Sequence, residues 1–236
     1  PTLAGGPGEA GIANFICQRL TRLGLDAALY PVAAARANVV AVARGKAGRG
    51  SLVLNGHIDT VGVEGMPAPF TLRREGDRLY GRGAYDMKGG VAVMLALAES
   101  FSNHPPAADV WLTFSADEED RSLGTEQLVR DWLPTVQPAP AAAVFLEPTE
   151  EAIGVSHKGF TWFEIEILGQ AAHGSRPAEG IDAILPLREA LCELDRIRSR
   201  LSERPPDPRL GHASLHGGRI EGGTALSVIP ARALLQ

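Results

Sequence analysis

The chain has 236 residues, 44% of them hydrophobic and 22% charged, with a formal net charge of −5. That is the composition of a soluble globular protein of one large or two small domains, and it lacks the basic balance of a nucleic-acid or anionic-membrane binder. The longest apolar run, Val91 to Ala98, is far too short to span a bilayer. Two cysteines, Cys17 and Cys192, are no disulfide framework and read as small buried hydrophobes in helical patterns, which suits a reducing cytoplasm. The chain starts at Pro1, so a removed leader stays open.

In chain order, Gly8 to Leu23 carries Ile12, Phe15, Ile16, Leu20 and Leu23 on one helical face, and Gly24 follows as the C′ residue. Leu25 to Pro31 and Asn38 to Ala43 read as strands, followed by a Gly-rich turn from Gly45 to Gly50. Ser51 to Asn55 is a buried strand that breaks into Gly56, His57 and Asp59. On extended backbone, residues two apart share a side, so this His and this carboxylate emerge together at a strand end. Gly76-Asp77 marks a hairpin between Phe70–Arg73 and Arg78–Tyr80. A helix is predicted from Val91 to Phe101, a strand from Val110 to Phe114, a helix from Glu126 to Trp132 and a strand from Ala141 to Leu146. Beyond His157 the pattern changes. Phe160 to Leu168 alternates as a half-exposed strand, Ile181 to Leu201 is a long amphipathic helix, and His212–Ile220 and Ala225–Leu235 read as strands around Gly222-Gly223. The predicted architecture is α/β, with residues 1–157 as one domain and 158–236 as a smaller α+β unit.

An HxD pair alone is a weak signal. Here, however, Asp86, Glu118, Glu119 and Glu147 also stand at loops that follow apolar strands or a hairpin. One imidazole and five carboxylates gathered together would repel unless they bound cations, and such N/O donors suit Zn²⁺, Co²⁺ or Mn²⁺. Two ions sharing a bridging carboxylate can activate one water.

The stretches GHIDTV, GRGAYDMKGG, ADEED and FLEPT, in this order, resemble the M20 metallopeptidases, the group of acetylornithine deacetylase, succinyl-diaminopimelate desuccinylase, carboxypeptidase G2 and aminoacylase. Gly169 to Pro177 and Gly222 to Pro230 look like the start and middle of that family's lid domain. The resemblance implies a mixed-sheet, zinc-peptidase-like catalytic domain, a lid and dimerisation domain, and two divalent ions, zinc or else cobalt or manganese. It implies that His57 and Glu147 bind one ion, Glu119 the other, and that Asp86 bridges them. It makes Asp59 the orienter of the His57 ring and Glu118 the general base for a metal-activated water. His173 would bind the developing oxyanion, from a partner subunit in dimeric relatives, and Asp86-Met87 would be a cis peptide. Arg176 is read either as a clamp for a substrate carboxylate or as a plain surface residue.

The implied activity is hydrolysis of the amide bond of an N-acyl amino acid, in the manner of acetylornithine deacetylase. The alternatives are a dipeptidase or carboxypeptidase, or a non-catalytic metal-binding or dimerisation fragment. The expected partners are a small N-acyl amino acid or short peptide and a second copy of the chain through the lid. Two departures stand out. Ser227 replaces an Asn common in relatives, and no His matches the family's last ligand to the second metal, so the chain reads as truncated, with that metal weakly bound. His104, His157, His212 and His216 read as ordinary loop or strand residues, and Asp117 and Asp120 as loop caps. Gly6 to Gly11 fits GxGxxG literally, but too few residues precede it for a dinucleotide-binding strand.

Overall fold

A computed structural model describes Gly6 and residues 8–46 and 50–236. Pro7 of the GxGxxG match and residues 47–49 of the expected Gly-rich turn lie outside them. The chain divides into two compact units, the first ending at Ala152 and the second running from Ile153 to Gln236. No helix of the described residues is long and apolar enough to cross a membrane.

The first unit opens with helix α1 (Ala10–Arg22), whose Ala13, Ile16 and Leu20 are buried. Gly24 ends it at φ +81°, and the Leu25 and Gly24 N–H groups close back on the Leu20 and Thr21 carbonyls. This left-handed closure is why glycine stands there. Strands β1 (Asp26–Ala33), β2 (Arg36–Ala43) and β3 (Ser51–His57) follow, then the small hairpin β4 (Arg73–Glu75) and β5 (Arg78–Tyr80). Helix α2 (Lys88–Asn103), strand β6 (Asp109–Ser115), helix α3 (Leu123–Gln127) with a π-helical continuation through Trp132, and strand β7 (Ala142–Phe145) complete the unit.

The sheet order is β1-β2-β6-β3-β7. β1, β2 and β6 pair antiparallel, whereas β3 runs parallel to both β6 and β7. The sheet is therefore mixed, as the sequence implied. Residues of β2 alternate between two cores. Val39, Ala41 and Ala43 face α1 and α2, and Val40 packs with Val53, Leu128, Trp132 and Val136 on the other side. Burial on both faces explains the continuous apolar runs of β2 and β3. One buried polar pair sits within this apolar sheet. Asn55 Nδ2 donates to Thr113 Oγ1 at 2.9 Å, and that hydroxyl donates to the Leu54 carbonyl at 3.2 Å.

The second unit contains β8 (Ile165–Leu168), β9 (Ala172–His173), α4 (Leu187–Glu203), β10 (Ile220–Gly222), β11 (Val228–Ile229) and β12 (Arg232–Leu235). Antiparallel β10-β12-β8 form one sheet and β11-β9 a second ribbon. Ala183, Leu187, Ala233 and Leu235 make its core. Three expectations are corrected here. The long helix starts at Leu187 rather than Ile181, because Ile181 bridges Gln170 and Asp182 Oδ1 accepts the Ile184 and Leu185 N–H groups in a turn that ends at Pro186. Of the predicted strand Phe160–Leu168 only Ile165–Leu168 forms, of His212–Ile220 only the end at Ile220 enters a strand, and Ala225–Leu235 splits into β11 and β12. Cys192 is exposed and Cys17 half-buried, so neither is the buried hydrophobe expected.

Phe114, fully buried beneath α1 and α2, should anchor the first unit. Phe114→Ala is expected to cost about 3–5 kcal/mol, read as a lower urea midpoint with an unchanged slope.

Candidate metal centre

The parallel register sets the site. His57 at the end of β3 lies opposite Ser115 at the end of β6, and Asn55 lies opposite Phe145 of β7. The loops leaving these three carboxyl ends carry Asp59, then Glu118 and Glu119, then Glu147. This is where α/β folds collect ligands. Asp86 comes from the loop that leads into α2. The Asp86-Met87 bond is cis, as the resemblance implied. Met87 Sδ accepts the His57 backbone N–H at 3.1 Å. Glycine at 56 leaves room for this approach, since a Cβ there would meet the flexible Met87 methyl at 2.8 Å and displace it.

His57 is 1% exposed and Asp59 fully buried. Four carboxylates surround the imidazole. Nε2 lies 2.9 Å from Asp86 Oδ1 and 3.9 Å from both Glu118 Oε2 and Glu147 Oε2. Nδ1 lies 3.3 Å from Asp59 Oδ1. Asp59 in turn accepts the Glu118 N–H on Oδ1 at 3.1 Å and the Glu119 N–H on Oδ2 at 3.0 Å. One buried carboxylate thus fixes both the His ring and the backbone of the acidic pair.

The electrostatics follow from this crowding. Burial opposes charge on His57, but the close carboxylates of Asp59 and Asp86 and the nearby Glu147 bring its pKa up to about 9. Burial and the charges of Asp86, Glu118 and Glu119 push Glu147 up to about 7, against the pull of His57. Glu119 is raised by burial and by Asp86. Burial works against ionisation of Asp59 as well, yet His57 and the two N–H donors hold its pKa below the usual range. Lys88 is pushed down by burial despite the opposing charges of Asp59, Glu9, Asp86 and Glu119, and its Nζ lies 3.5 Å from the Asp59 carbonyl.

Among the described residues, two groups offer donor atoms that all lie within 4.8 Å of one another. One is His57, Asp86 and Glu147, and the other is His57, Glu118 and Glu119. One imidazole and several carboxylates that strain against mutual repulsion fit a divalent cation of the zinc, cobalt or manganese type. Both groups draw on the same His57.

The remaining candidates lie in the second unit. His173 is exposed on β9, where Nδ1 accepts the Ser175 N–H at 3.2 Å and lies 2.8 Å from Ser175 Oγ. Arg176 pairs with Glu179 at 3.7 Å on the surface. The Ser227 carbonyl accepts the Gly174 N–H at 2.7 Å.

Sequence reasoning missed a second set of charges. Asp117, expected to cap a loop, is buried and ion-paired to Arg36, which also holds buried Glu9. The available signals were an acid directly before an apolar helix and an arginine leading an apolar strand.

Residues 53–212 match the model of peptidase family M20/M25/M40. The chain belongs to this family. It is 35% identical over 209 residues to a probable carboxypeptidase of Aspergillus terreus, covering 84% of this chain and 46% of that protein. It is 31% identical over 225 residues to an acetylornithine deacetylase of Proteus mirabilis, covering 93% of this chain and 57% of that one. The chain therefore spans about half the length of the curated relatives it matches. In fold it resembles an M20 family metallo-carboxypeptidase from Sulfolobus solfataricus, with a TM-score of 0.67 at 18% identity over 100% of this chain and 67% of that one.

A proton-linked metal affinity follows from the raised groups. A His held up to about 9 contributes stability below pH 6.5 that is lost as pH climbs through 9. Glu147, raised from 4.5 to about 7, likewise favours the protonated fold. The metal-free protein should therefore lose stability between about pH 4.5 and 9 through these two groups. Were His57 and Glu147 to hold a divalent ion, both would have to be deprotonated, so the affinity for added zinc should rise with pH across about 6 to 9 with release of about two protons near pH 6. Calorimetry in buffers of different ionisation enthalpy measures this, and a pH-independent affinity would contradict it.

Proposed function

We propose that the protein is a metal-dependent hydrolase that cleaves the amide bond of an N-acyl amino acid, with Glu118 as general base. The observation that supports this is the convergence of Asp86, Glu118 and Glu147 on one buried His57 nitrogen. His57, Asp86 and Glu147 would hold one divalent ion, and Glu119 with Asp86 a second. When bound, such ions supply Lewis acidity, which polarises an amide carbonyl and makes water more acidic. Asp59 orients the imidazole from behind, at Nδ1.

Glu118 has the attributes of the proton carrier. Its side chain is 41% exposed, so water and substrate can reach it, while its backbone N–H is tied to Asp59. It would take a proton from the attacking water as the new C–O bond forms. It would then return that proton to the nitrogen as the C–N bond breaks, so the amine leaves neutral. His173 would hydrogen-bond the developing oxyanion, and Arg176 would pair with a substrate carboxylate. The protein would act as a homodimer through its second unit, in the cytoplasm, where the free thiols of Cys17 and Cys192 would stay reduced. The acyl group is proposed to be acetyl on the likeness to the deacetylase. The higher identity to the carboxypeptidase supports a second reading, in which the same site cleaves a terminal residue from a short peptide.

Turnover of N-acetylornithine against a dipeptide panel separates these two substrates in the full-length protein. Glu118→Gln should retain bound metal and lose about 10²–10⁴-fold in kcat. Retained turnover would rule out Glu118 as the base.

A further inference from the structure

Behind the acidic pair lies a buried ionic link that none of the proposed chemistry uses. Arg36, at the start of β2, donates through Nη1 to Glu9 Oε1 at 2.6 Å and lies 3.0 Å from Asp117 Oδ1. All three side chains are nearly or fully withdrawn from solvent, at 11%, 0% and 2% exposure. Burying three charged groups is costly unless further hydrogen bonds satisfy their remaining lone pairs, and among the described residues Glu9 Oε2 and Asp117 Oδ2 find no such partner.

The local chain explains how they meet. Gly8, at φ +88°, lets the chain pass so close to the β1–β2 turn that a Cβ would strike the Ala35 carbonyl at 2.3 Å. That same carbonyl accepts the first free N–H of α1, from Ala10, at 2.9 Å. The start of α1 is thereby latched to the hairpin, with Glu9 beside Arg36. Asp117 stands at φ +61°, in the left-handed region that few residues other than glycine adopt and that Asp adopts more readily than most. Asn38, two residues after Arg36, adds a second tie, accepting the Ala116 N–H at 2.9 Å and donating to the Gly124 carbonyl at 2.8 Å. From Asp117 the backbone turns so that the next two N–H groups, those of Glu118 and Glu119, both point at Asp59.

We propose that Arg36, braced by Glu9, is a positioning residue. It holds Asp117 in its left-handed turn and so aims Glu118 and Glu119 into the metal centre. The proposal rests on the roles given to those two glutamates above. Arg36 belongs to neither group of candidate metal donors and acts through the backbone of residues 117–119.

The test uses the metal-loaded, full-length protein and its cobalt-substituted form. Arg36→Met should lower kcat about tenfold or more while KM moves less than about twofold. It should also shift the visible cobalt spectrum, since Glu119 would be re-aimed. Arg36→Lys keeps one cationic donor between the two carboxylates and should recover most of both signals. A purely structural role would lower stability but leave kcat and spectrum alone. A folded Arg36→Met with wild-type kcat and spectrum overturns the proposal. If that variant does not fold, Asp117→Asn, which keeps the volume and weakens the ion pair, should reproduce the loss of kcat and the spectral shift. Wild-type values there overturn it equally. Absence of amide hydrolysis by the unmodified protein would refute the hydrolase reading, and the cobalt spectra would still judge Arg36.

Discussion

Asp59 is the hinge of the site. Its two oxygens divide their work, one serving His57 Nδ1 and the Glu118 N–H, the other the Glu119 N–H. A fully buried carboxylate is tolerable only with such a complete set of partners. In return it imposes one orientation on the imidazole and one course on the backbone that carries the acidic pair. Every distance around His57 Nε2 depends on that arrangement.

The scaffold supplies the rest by geometry. Parallel strands end side by side, so three loops far apart in sequence open at the same edge of one sheet. The first unit is covered on both faces, by α1 and α2 on one and by the α3 region on the other. This burial gives the strand ends rigid support. The crowded carboxylates store unfavourable repulsion that a cation would relieve, which couples occupation of the site to the stability of the fold.

How much of this could be read from the chain depended on distance along it. His57 and Asp59 were legible because strand and motif are contiguous, and the alternation of an extended chain puts both side chains on one side. Glu118, Glu119, Asp86 and Glu147 were legible through motifs of a known family in a known order. Asp117 was misread because its partners, Glu9 and Arg36, come from a helix start and another strand. Nothing local distinguishes a buried, ion-paired Asp in a loop from a solvated one. The start of α4 was misplaced because amphipathic spacing continues through Ile181–Leu185, where an Asp182 turn and a β-bridge prevail over helical periodicity. The stretch His212–Ile220 was read as a strand from its place before the Gly222-Gly223 turn, yet Gly217 and Gly218 give little side chain to pack there.

The buried pair Asn55 and Thr113 has a further consequence. In an all-apolar sheet, neighbouring strands could slide by two residues with little loss, because valine and leucine are nearly interchangeable. A slide of one residue would turn the His57 side chain to the opposite face. The amide–hydroxyl contact works as an index mark, since only one alignment of β3 on β6 satisfies both groups away from water. The strand ends, and with them His57, are held level by a polar contact rather than by the apolar packing around it.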